Sequence, residues 1–466
     1  MILNIEQEET DIRVSYFNKE GEVDFKIYKL DKFQNWYVCS EGDRSKSLKY
    51  KNWNGKPVKQ AQAKFLNKSS IVDFLDNLPQ EDKEVLFAYN IPKMYFLDIE
   101  VEVTDGFPEP EKAENKILTC SIASPDKIIT ILGLKDLSPD ECKNINTKIN
   151  DHFKKFGEEW TFNYIKFKSE YDLVYTLLQK YVSKIPVMSG WNFINYDWKY
   201  IYNRCKRLKI NPEIASPVLK LDGNDNAPMH VGLLDYLRLY LTYDRSVAVK
   251  ESNTLGAVSE SVLGVNKIKN PHDLQTTYEQ HFTQYVYYNA VDSILVYYID
   301  QKLRLADVLY TLAYLTKTSI YKASSPVNIT ETLLAPFFKK NGRVLASENK
   351  DIEKSVKYEG AYVKTPIVGF HKGVACFDFA SLYPSIMRQF NISPENLKNK
   401  YPASEVENIR ETGELISVNG CHFNKEDSYL RVILTQLYNK RKEYKGKSFD
   451  YKLKLESIRK QLEKTV

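Results

Sequence analysis

The stretch Met94-Tyr95-Phe96-Leu97-Asp98-Ile99-Glu100-Val101 decides the fold. Most of its residues are apolar, and two acids, Asp98 and Glu100, stand at alternate positions. Successive side chains of a β-strand point to opposite faces, so the two carboxylates are predicted to share one face of a largely buried strand. Such carboxylates repel each other unless protons or a cation neutralise them. The stretch alone also fits an edge strand with one solvated face, on which the acids need no ligand.

The bulk composition of the chain is that of an ordinary globular protein. Its 466 residues, 43% of them hydrophobic and 27% charged, are too many for one core, and a chain of this length is expected to form about two to four domains. A net charge of +5 and 33 tyrosines permit a nucleic-acid partner without requiring one. The six cysteines are scattered without a C-x-x-C pair, so the pattern favours neither a zinc site nor a disulfide framework.

Two later segments place acids in a related setting. In residues 187–204 a predicted strand ends at Gly190, and the following loop presents Asn192 and then Asp197 at the start of a helix. In residues 285–298, Tyr288 and Asp292 are four residues apart and therefore lie on one face of a predicted helix. Taken singly, Asp197 also fits a helix cap, and Tyr288 with Asp292 also fits a surface pair.

Together and in this order, the D-x-E strand, the asparagine-bearing loop and the Y-x-x-x-D helix resemble the three exonuclease motifs of proofreading DNA polymerases. The resemblance implies a ribonuclease-H-like domain in which four carboxylates hold two divalent metals, Mg²⁺ or Mn²⁺. The residues that it assigns are the metal-binding acids Asp98, Glu100, Asp197 and Asp292, Tyr288 as the hydrogen-bond partner of the attacking water, and Asn192 as a DNA contact.

A second chemical site is predicted at residues 373–386, which read G-V-A-C-F-D-F-A-S-L-Y-P-S-I. A buried strand is expected to end at Asp378, and a turn of small residues then leads into a helix opened by Pro384. The string D-x-x-S-L-Y-P-S-I resembles motif A of family-B DNA polymerases, and the run through Glu395 is similar to the bacteriophage branch of T-even-like replicative enzymes.

This second resemblance implies a role for each residue that matches the motif. The implied residues are Asp378 and the Phe379 carbonyl for two catalytic metals, Ser381, Leu382 and Tyr383 for the incoming nucleotide, and Tyr358 and Gly360 for the DNA template. Tyr383 would lie under the sugar and exclude a 2′-hydroxyl.

The basic tail of the chain is predicted to be helical from Leu430 to Gly446, with a second helix from Tyr451 onward. Arg441 and Lys445 are four residues apart and can therefore grip one phosphate group from one helix face. By the resemblance, this is the first fingers helix, and the two side chains bind the triphosphate of a dNTP.

The predicted architecture is mixed α/β and multidomain. Residues 1–93 would form a β-rich N-terminal domain, on which residues 305–355 pack back. Residues 94–304 would form the 3′–5′ exonuclease domain, residues 356–429 a partial polymerase palm, and residues 430–466 the start of the fingers helices.

Two elements of a family-B polymerase have no match in the sequence. Neither a K-x-x-x-N-x-x-Y-G fingers motif nor a D-T-D strand with the second catalytic aspartate occurs. We therefore expect the N-terminal part of a split or truncated DNA-directed DNA polymerase that serves replication and proofreading. In the split form it is completed by a separate C-terminal chain in a heterodimer. The expected partners are primer–template DNA, its single-stranded 3′ end, dNTPs and, through the second chain, a sliding clamp.

Two other functions stay open on the sequence. The chain would be a stand-alone 3′–5′ exonuclease if residues 356–466 only bind DNA, although Asp378 and Tyr383 would then be needless. It would be a non-catalytic single-strand-binding or docking subunit if its clustered acids had no cation, although such acids would only destabilise a binding protein. The N-terminus is no signal peptide and no apolar run has membrane-spanning length, so an intracellular location is expected, the host cytoplasm if the source is viral.

Overall fold

The computed structural model describes residues 1–40, 42–104, 106–223, 225–244, 252–269, 272–347 and 362–465. The chain divides into two compact units, Met1–Phe33 with Ala63–Leu333 and Gln34–Gln62 with Leu334–Val466. Both units contain helices and β-sheets, which confirms the predicted mixed α/β fold class.

The strands, in chain order, are β1 Ile2–Glu8, β2 Asp11–Phe17, β3 Val23–Lys29, β4 Gln34–Val38, β5 Lys51–Asn52, β6 Val58–Gln62, β7 Met94–Val101, β8 Ile117–Ala123, β9 Ile128–Gly133, β10 Thr161–Lys166, β11 Val187–Ser189, β12 Gly232–Leu233, β13 Arg343–Val344, β14 Leu397–Lys400, β15 Leu415–Ile416 and β16 Cys421–Phe423. The helices are α1 Lys68–Asp76, α2 Gln80–Leu86, α3 Pro139–Phe153, α4 Glu170–Thr176, α5 Asp197–Leu208, α6 Tyr236–Tyr243, α7 Leu255–Leu263, α8 Leu274–Gln280, α9 Phe282–Leu303, α10 Leu305–Thr316, α11 Pro326–Lys340, α12 Leu382–Gln389, α13 Val406–Glu411 and α14 Tyr429–Thr465.

A sheet of six described strands organises the first unit, in the order β10-β9-β8-β7-β11-β12. The strands β7, β8 and β9 pair antiparallel, whereas β11 runs parallel to β7, and β12 parallel to β11. The strand with the two alternating acids is therefore an interior strand, so the edge-strand alternative is wrong. Pairing with β11 covers Met94 to Phe96, and pairing with β8 covers Phe96 to Val101, so the direction in which each side chain of β7 points is fixed.

The two faces of β7 enter different cores, as the period of two requires. Leu97 and Ile99 pack into the core that also contains Trp198 of α5. Phe96, on the opposite face, joins a core with Ile294 and other buried residues of α9. Asp98 and Glu100 share the face of Phe96 and are consequently directed toward α9, the helix that carries Tyr288 and Asp292.

The N-terminal strands β1, β2 and β3 form an antiparallel sheet in the same unit. The segment after α9 contacts the part of residues 1–93 that follows these strands. Lys317 forms an ion pair with Asp76 of α1, and the ring centres of Tyr314 and Tyr89 lie 5.0 Å apart in an edge-to-face arrangement. The domain boundaries read from the sequence stay predictions.

In the second unit, the basic tail is one uninterrupted helix, α14, which runs through Gly446. The expectation of two helices separated near this glycine is wrong. A glycine inside a helix costs about 1 kcal/mol relative to alanine. The lysine, arginine and glutamate residues around it are strong helix formers, so a single glycine does not end the helix.

The predicted buried strand before Asp378 is also not observed. Residues 371–380 are exposed and carry no strand, and Phe377 is 93% exposed. A strand needs a neighbour to satisfy its backbone groups, and no strand of the described ranges pairs with this segment. The helix after the turn is present as α12, with Pro384 in its first turn.

None of the helices in the described ranges combines the length and the apolar character that crossing a bilayer requires.

Candidate metal centre and nucleotide site

Three of the four predicted metal-binding acids come together in the first unit. Carboxylate oxygens of Asp98, Glu100 and Asp292 all lie within 4.8 Å of one another. The first two project from one face of β7, and the third projects from α9, which crosses that face. Burial is deep, since Glu100 is 9% exposed and Asp292 is 3% exposed.

Asp197 lies beside this group and has a structural partner of its own. The parallel pairing of β11 with β7 ends where Ser189 meets Phe96, so the next amides on this edge of β7 have no strand neighbour. The carboxylate of Asp197 accepts a hydrogen bond of 3.0 Å from the Ile99 amide. The chain turns between β11 and Asp197 at Gly190, where a Cβ atom would lie 2.4 Å from the Leu97 carbonyl oxygen, so only glycine fits.

The charges of the acids are strongly perturbed. Burial, followed by the charges of Asp197 and Glu100, raises the pKa of Asp98 well above its usual value. Burial, followed by the charge of Asp292, raises the pKa of Glu100 to about 8. Burial is also the main reason that the pKa of Asp197 is raised to about 7 and that of Asp292 to about 6. The acids therefore share a site that resists holding several negative charges without a cation.

A lysine supplies positive charge at one side of the cluster. The ammonium nitrogen of Lys267 lies 2.6 Å from Oδ2 of Asp292 and 4.6 Å from the centre of the Tyr288 ring. Burial alone would lower the pKa of Lys267, but Asp292 and the Tyr288 hydroxyl together raise it above its ordinary value. Burial and the charge of Asp292 likewise raise the pKa of Tyr288, so this phenol stays a hydrogen-bond donor at neutral pH.

An amide orients the first acid of the cluster. Asn289, which is fully buried, donates from Nδ2 to Oδ2 of Asp98 over 2.7 Å. Asn289 lies three residues before Asp292 on α9, so one helix face carries both side chains to the same acids.

The donor set fits a hard divalent cation. Mg²⁺ and Mn²⁺ prefer carboxylate oxygens, and Asp98, Glu100 and Asp292 offer several at short mutual distance. Oδ1 of Asp292 is buried and has no hydrogen-bond partner among the described residues, an arrangement that is costly unless a ligand completes it.

The loop before α5 presents polar and aromatic groups next to the acids. Asn192 has a left-handed backbone with φ of 60° and accepts a hydrogen bond of 3.1 Å from Asn195. The exposed Phe107 packs on Tyr196, with ring centres 5.3 Å apart. Tyr196 directly precedes Asp197, so this aromatic pair lies at the edge of the acid cluster. Burial, followed by the charge of Asp197, raises the pKa of Tyr196.

The predicted nucleotide site lies in the second unit, around the start of α12. Ser381 has a left-handed backbone with φ of 54°, and Nη1 of Arg441 on α14 lies 3.5 Å from its hydroxyl oxygen. Asp378 and Phe379, which precede this turn, and Tyr383, the second residue of α12, are exposed. The remaining predicted residues of this site are Leu382 at the start of α12 and Lys445, one turn after Arg441 on α14. Tyr358 and Gly360 lie outside the described residues.

Sequence reasoning missed Lys267 and Asn289. Asn289 could have been found, because it stands next to Tyr288 and three residues before Asp292, on the face that the Y-x-x-x-D pattern defines. Lys267 belongs to no motif and lies in a basic loop segment, V-N-K-I-K-N, that gives no sign of facing buried acids.

Two family models match the chain. One, described as DNA polymerase family B, exonuclease domain, matches residues 45–222, which include Asp98, Glu100 and Asp197. The other, described as DNA polymerase family B, matches residues 315–462, which include Asp378 and Arg441. The two matches do not overlap, and the segment with Tyr288 and Asp292 lies between them, outside both.

Individual relatives are similar over most of the chain. A DNA-directed DNA polymerase of Escherichia phage RB69 is 27% identical over 78% of this chain and 43% of its own length. The corresponding enzyme of Enterobacteria phage T4 is 24% identical over 81% of this chain and 45% of its own length. DNA polymerase 1 of Sulfolobus acidocaldarius is 25% identical over 87% of this chain and 45% of its own length. The chain therefore spans less than half the length of these relatives.

Proposed function

Because the chain belongs to DNA polymerase family B, we propose that its first unit is a proofreading exonuclease. It hydrolyses the last phosphodiester bond at the 3′ end of single-stranded DNA and releases a nucleoside monophosphate. The observation that carries this proposal is the convergence of Asp98, Glu100 and Asp292, from a strand and a helix far apart in sequence, within 4.8 Å of one another.

Asp98, Glu100 and Asp292, with Asp197 beside them, would hold two Mg²⁺ ions. When bound, such ions lower the pKa of water to give a nucleophile and stabilise the leaving 3′-oxygen. Oxygen-only ligands and the small size of the group favour Mg²⁺ over softer metals, with Mn²⁺ as a substitute.

The protein groups around the acids position the reactants. Asn289 fixes the orientation of Asp98 through a 2.7 Å hydrogen bond, and the Ile99 amide does the same for Asp197. Tyr288, held protonated by its surroundings, can donate a hydrogen bond to the attacking water. Positioning groups of this kind remove the entropy loss that a freely diffusing water would have to overcome.

The aromatic pair at the edge of the cluster offers a platform for the terminal base. Phe107 is 78% exposed, and its contact with Tyr196 limits the directions that it can take. Stacking of a base on an aromatic ring contributes about 1–3 kcal/mol without sequence preference, which suits an enzyme that must accept any terminal nucleotide. Asn192, in the same loop, would contact the strand.

We propose that the second unit contributes part of a nucleotidyl-transfer site. The approach of Arg441 to Ser381 supports this assignment, because a guanidinium beside the first amides of a helix is an arrangement that binds phosphates. Arg441 and Lys445 would bind the dNTP triphosphate, Asp378 and the Phe379 carbonyl the metals, and Ser381, Leu382 and Tyr383 the nucleotide. Tyr358 and Gly360 would contact the template.

The second metal-binding aspartate and the thumb would come from protein beyond these 466 residues. We further propose that a separate chain supplies them. This chain would also make any contact with a sliding clamp. Addition of a polypeptide with the D-T-D strand and thumb should then be required for Mg²⁺-dependent primer extension. Extension by these 466 residues alone would exclude it.

The exonuclease proposal is tested with a 5′-labelled single-stranded oligonucleotide, followed on a sequencing gel. Shortening from the 3′ end in Mg²⁺, abolished by EDTA, is expected. Changing Asp98 and Glu100 to alanine should lower the rate by on the order of a thousandfold or more, while binding of the oligonucleotide persists. Hydrolysis that continues in EDTA, or in the double variant, would refute the proposal.

A further inference from the structure

A cavity of the first unit shares no lining residue with the acid cluster, although one of its acids, Asp235, adds to the negative charge around Asp197. It has a volume of about 410 Å³. Its walls come from β12, the start of α6, the turn that precedes α11, and the first residue of α1, Lys68. The volume lies within the range of cavities that bind small ligands.

The acids of this cavity are already engaged by the protein. The carboxylate of Asp235 caps α6, accepting hydrogen bonds from the amides of Ile194 at 3.1 Å and Arg238 at 3.2 Å. Asp225 accepts a hydrogen bond of 2.5 Å from the Tyr321 hydroxyl. The oxygens that could neutralise cations in the cavity are therefore largely committed to structural hydrogen bonds.

The cationic side chains of the cavity, by contrast, retain hydrogen-bond donors that no acid in the described ranges occupies. In the part of the chain that the structure describes, the ammonium group of Lys322 forms no hydrogen bond or ion pair. Burial lowers the pKa of Lys322, and the charge of Lys68 adds to this, whereas that of Asp222 opposes it. Among the described residues, the acceptor for Nη2 of Arg238 is the neutral side chain of Asn195, at 2.7 Å. A half-buried ammonium that is in direct contact with no anion is unfavourable unless a ligand supplies one.

The third cationic side chain, Lys68, forms an ion pair that is open to solvent. Lys68 lies 2.9 Å from Glu331, and both side chains are about half exposed at 48% and 42%, so this pair contributes little and is easily exchanged. The turn into α11 adds hydroxyl groups from Ser324 and Ser325 and the positive end of a 15-residue helix.

We propose that this cavity binds a phosphate group, with Lys322, Arg238 and Lys68 as its cationic ligands. The group is carried either by a single-stranded nucleic acid or by a free nucleotide. Apolar lining by Leu233 and Leu239 would contact the sugar or the base in either case. The site does not depend on the exonuclease assignment, because it uses none of the residues on which that assignment rests.

The test measures binding by isothermal titration calorimetry in EDTA, so that metal-bridged phosphate cannot bind at the acid cluster. The two probes are dAMP and a single-stranded DNA 12-mer. The variants Lys322→Met, Arg238→Gln and Lys68→Met each remove one cation, and Lys180→Met, an exposed lysine outside the cavity, is the matched control. Circular dichroism and thermal unfolding verify folding, and Lys68→Met changes a half-exposed side chain that the core does not require.

Each cavity variant is expected to weaken binding about tenfold or more, since a hydrogen bond to a charged group contributes that much, while the control leaves it unchanged. Loss confined to the oligonucleotide identifies a strand phosphate, and loss confined to dAMP identifies a free nucleotide. Affinities for both probes that equal the wild-type values in the folded variants would overturn the proposal. A structure of the dAMP complex with the ligand elsewhere would overturn its free-nucleotide form.

Discussion

Lys267 and Asp292 form an ion pair of 2.6 Å inside the candidate metal centre. The lysine comes from a loop and the aspartate from the middle of α9, and the side chain of Asp292 is only 4% exposed. In the metal-free protein the ammonium group offsets part of the charge that would otherwise keep the acids protonated. A divalent metal that binds the acids must therefore either bind beside the Lys267 ammonium group or break its ion pair with Asp292.

Replacement of Lys267 tests its effect on the stability of the metal-free protein separately from its effect on metal affinity. In Lys267→Met, we expect the metal-free protein to lose about 3 kcal/mol of unfolding free energy at pH 8, because a buried carboxylate loses its partner. Mn²⁺ should bind more tightly, since repulsion from the ammonium group is gone. Urea unfolding in EDTA and Mn²⁺ calorimetry measure the two quantities. The exposed Lys166→Met serves as control, and a weaker Mn²⁺ affinity would contradict the prediction.

Asn289→Leu removes the amide that orients Asp98. Loss of such an outer partner typically lowers metal affinity about 10–100-fold, and hydrolysis should fall with it. Ser293→Ala is the matched control, because Ser293 lies one turn further along α9 and its hydroxyl contacts Ser121 rather than an acid. Equal Mn²⁺ affinities of the two variants would show that Asp98 needs no such support.

The raised acid pKa values predict how stability changes with pH. For Glu100, Asp197 and Asp292 the folded-state pKa values, about 8, 7 and 6, exceed the ordinary ones. Below the ordinary values both states are protonated. As pH rises further, the unfolded state releases protons first, so these groups lower the stability of the metal-free protein progressively up to about pH 8.

Unfolding free energies at pH 5.5 and 8 in EDTA, compared between wild type and Glu100→Gln, isolate this contribution from other titrating groups. The variant should lose less stability over the interval, and Mg²⁺ should shrink the loss in the wild type, because metal binding favours the ionised acids. An identical pH dependence of the two proteins in EDTA would be inconsistent with a raised Glu100 pKa.

Phe107→Ala tests the stacking platform. Affinity for a single-stranded 3′ end should fall by about 1–3 kcal/mol, whereas Mn²⁺ affinity should not change, because the ring contacts no acid of the cluster. Fluorescence anisotropy of a labelled oligonucleotide in Ca²⁺ gives the affinity. Phe65→Ala, a partly exposed aromatic residue elsewhere in the same unit, controls for non-specific loss. A 3′-end affinity equal to wild type would assign base stacking to other residues.

The strand β7 was predictable because the pattern that defines it lies within a few consecutive residues. A period of two in an apolar run decides that Asp98 and Glu100 share a face, and the spacing of Tyr288 and Asp292 decides that they share a helix face. The sequence pattern does not show which residues distant in the chain contact these acids. Lys267 reaches the cluster from a loop without periodicity, and the motif-A segment shows no strand because strand formation depends on neighbours that its own residues do not encode. Gly446 shows the converse, since helix propensity summed over its flanking residues outweighs one unfavourable residue.

The hydrogen bond from the Ile99 amide to Asp197 restricts which substitutions a lineage could accept at position 197. The carboxylate does two separable things: it carries charge next to the cluster, and it satisfies a backbone donor that β11 is too short to reach. Asparagine keeps the second and loses the first, whereas alanine loses both and leaves a buried amide unpaired. A descendant that gave up hydrolysis while keeping its fold would therefore be expected to drift toward asparagine at this position and away from apolar residues, so the residue found there would record whether the scaffold or the chemistry had been retained.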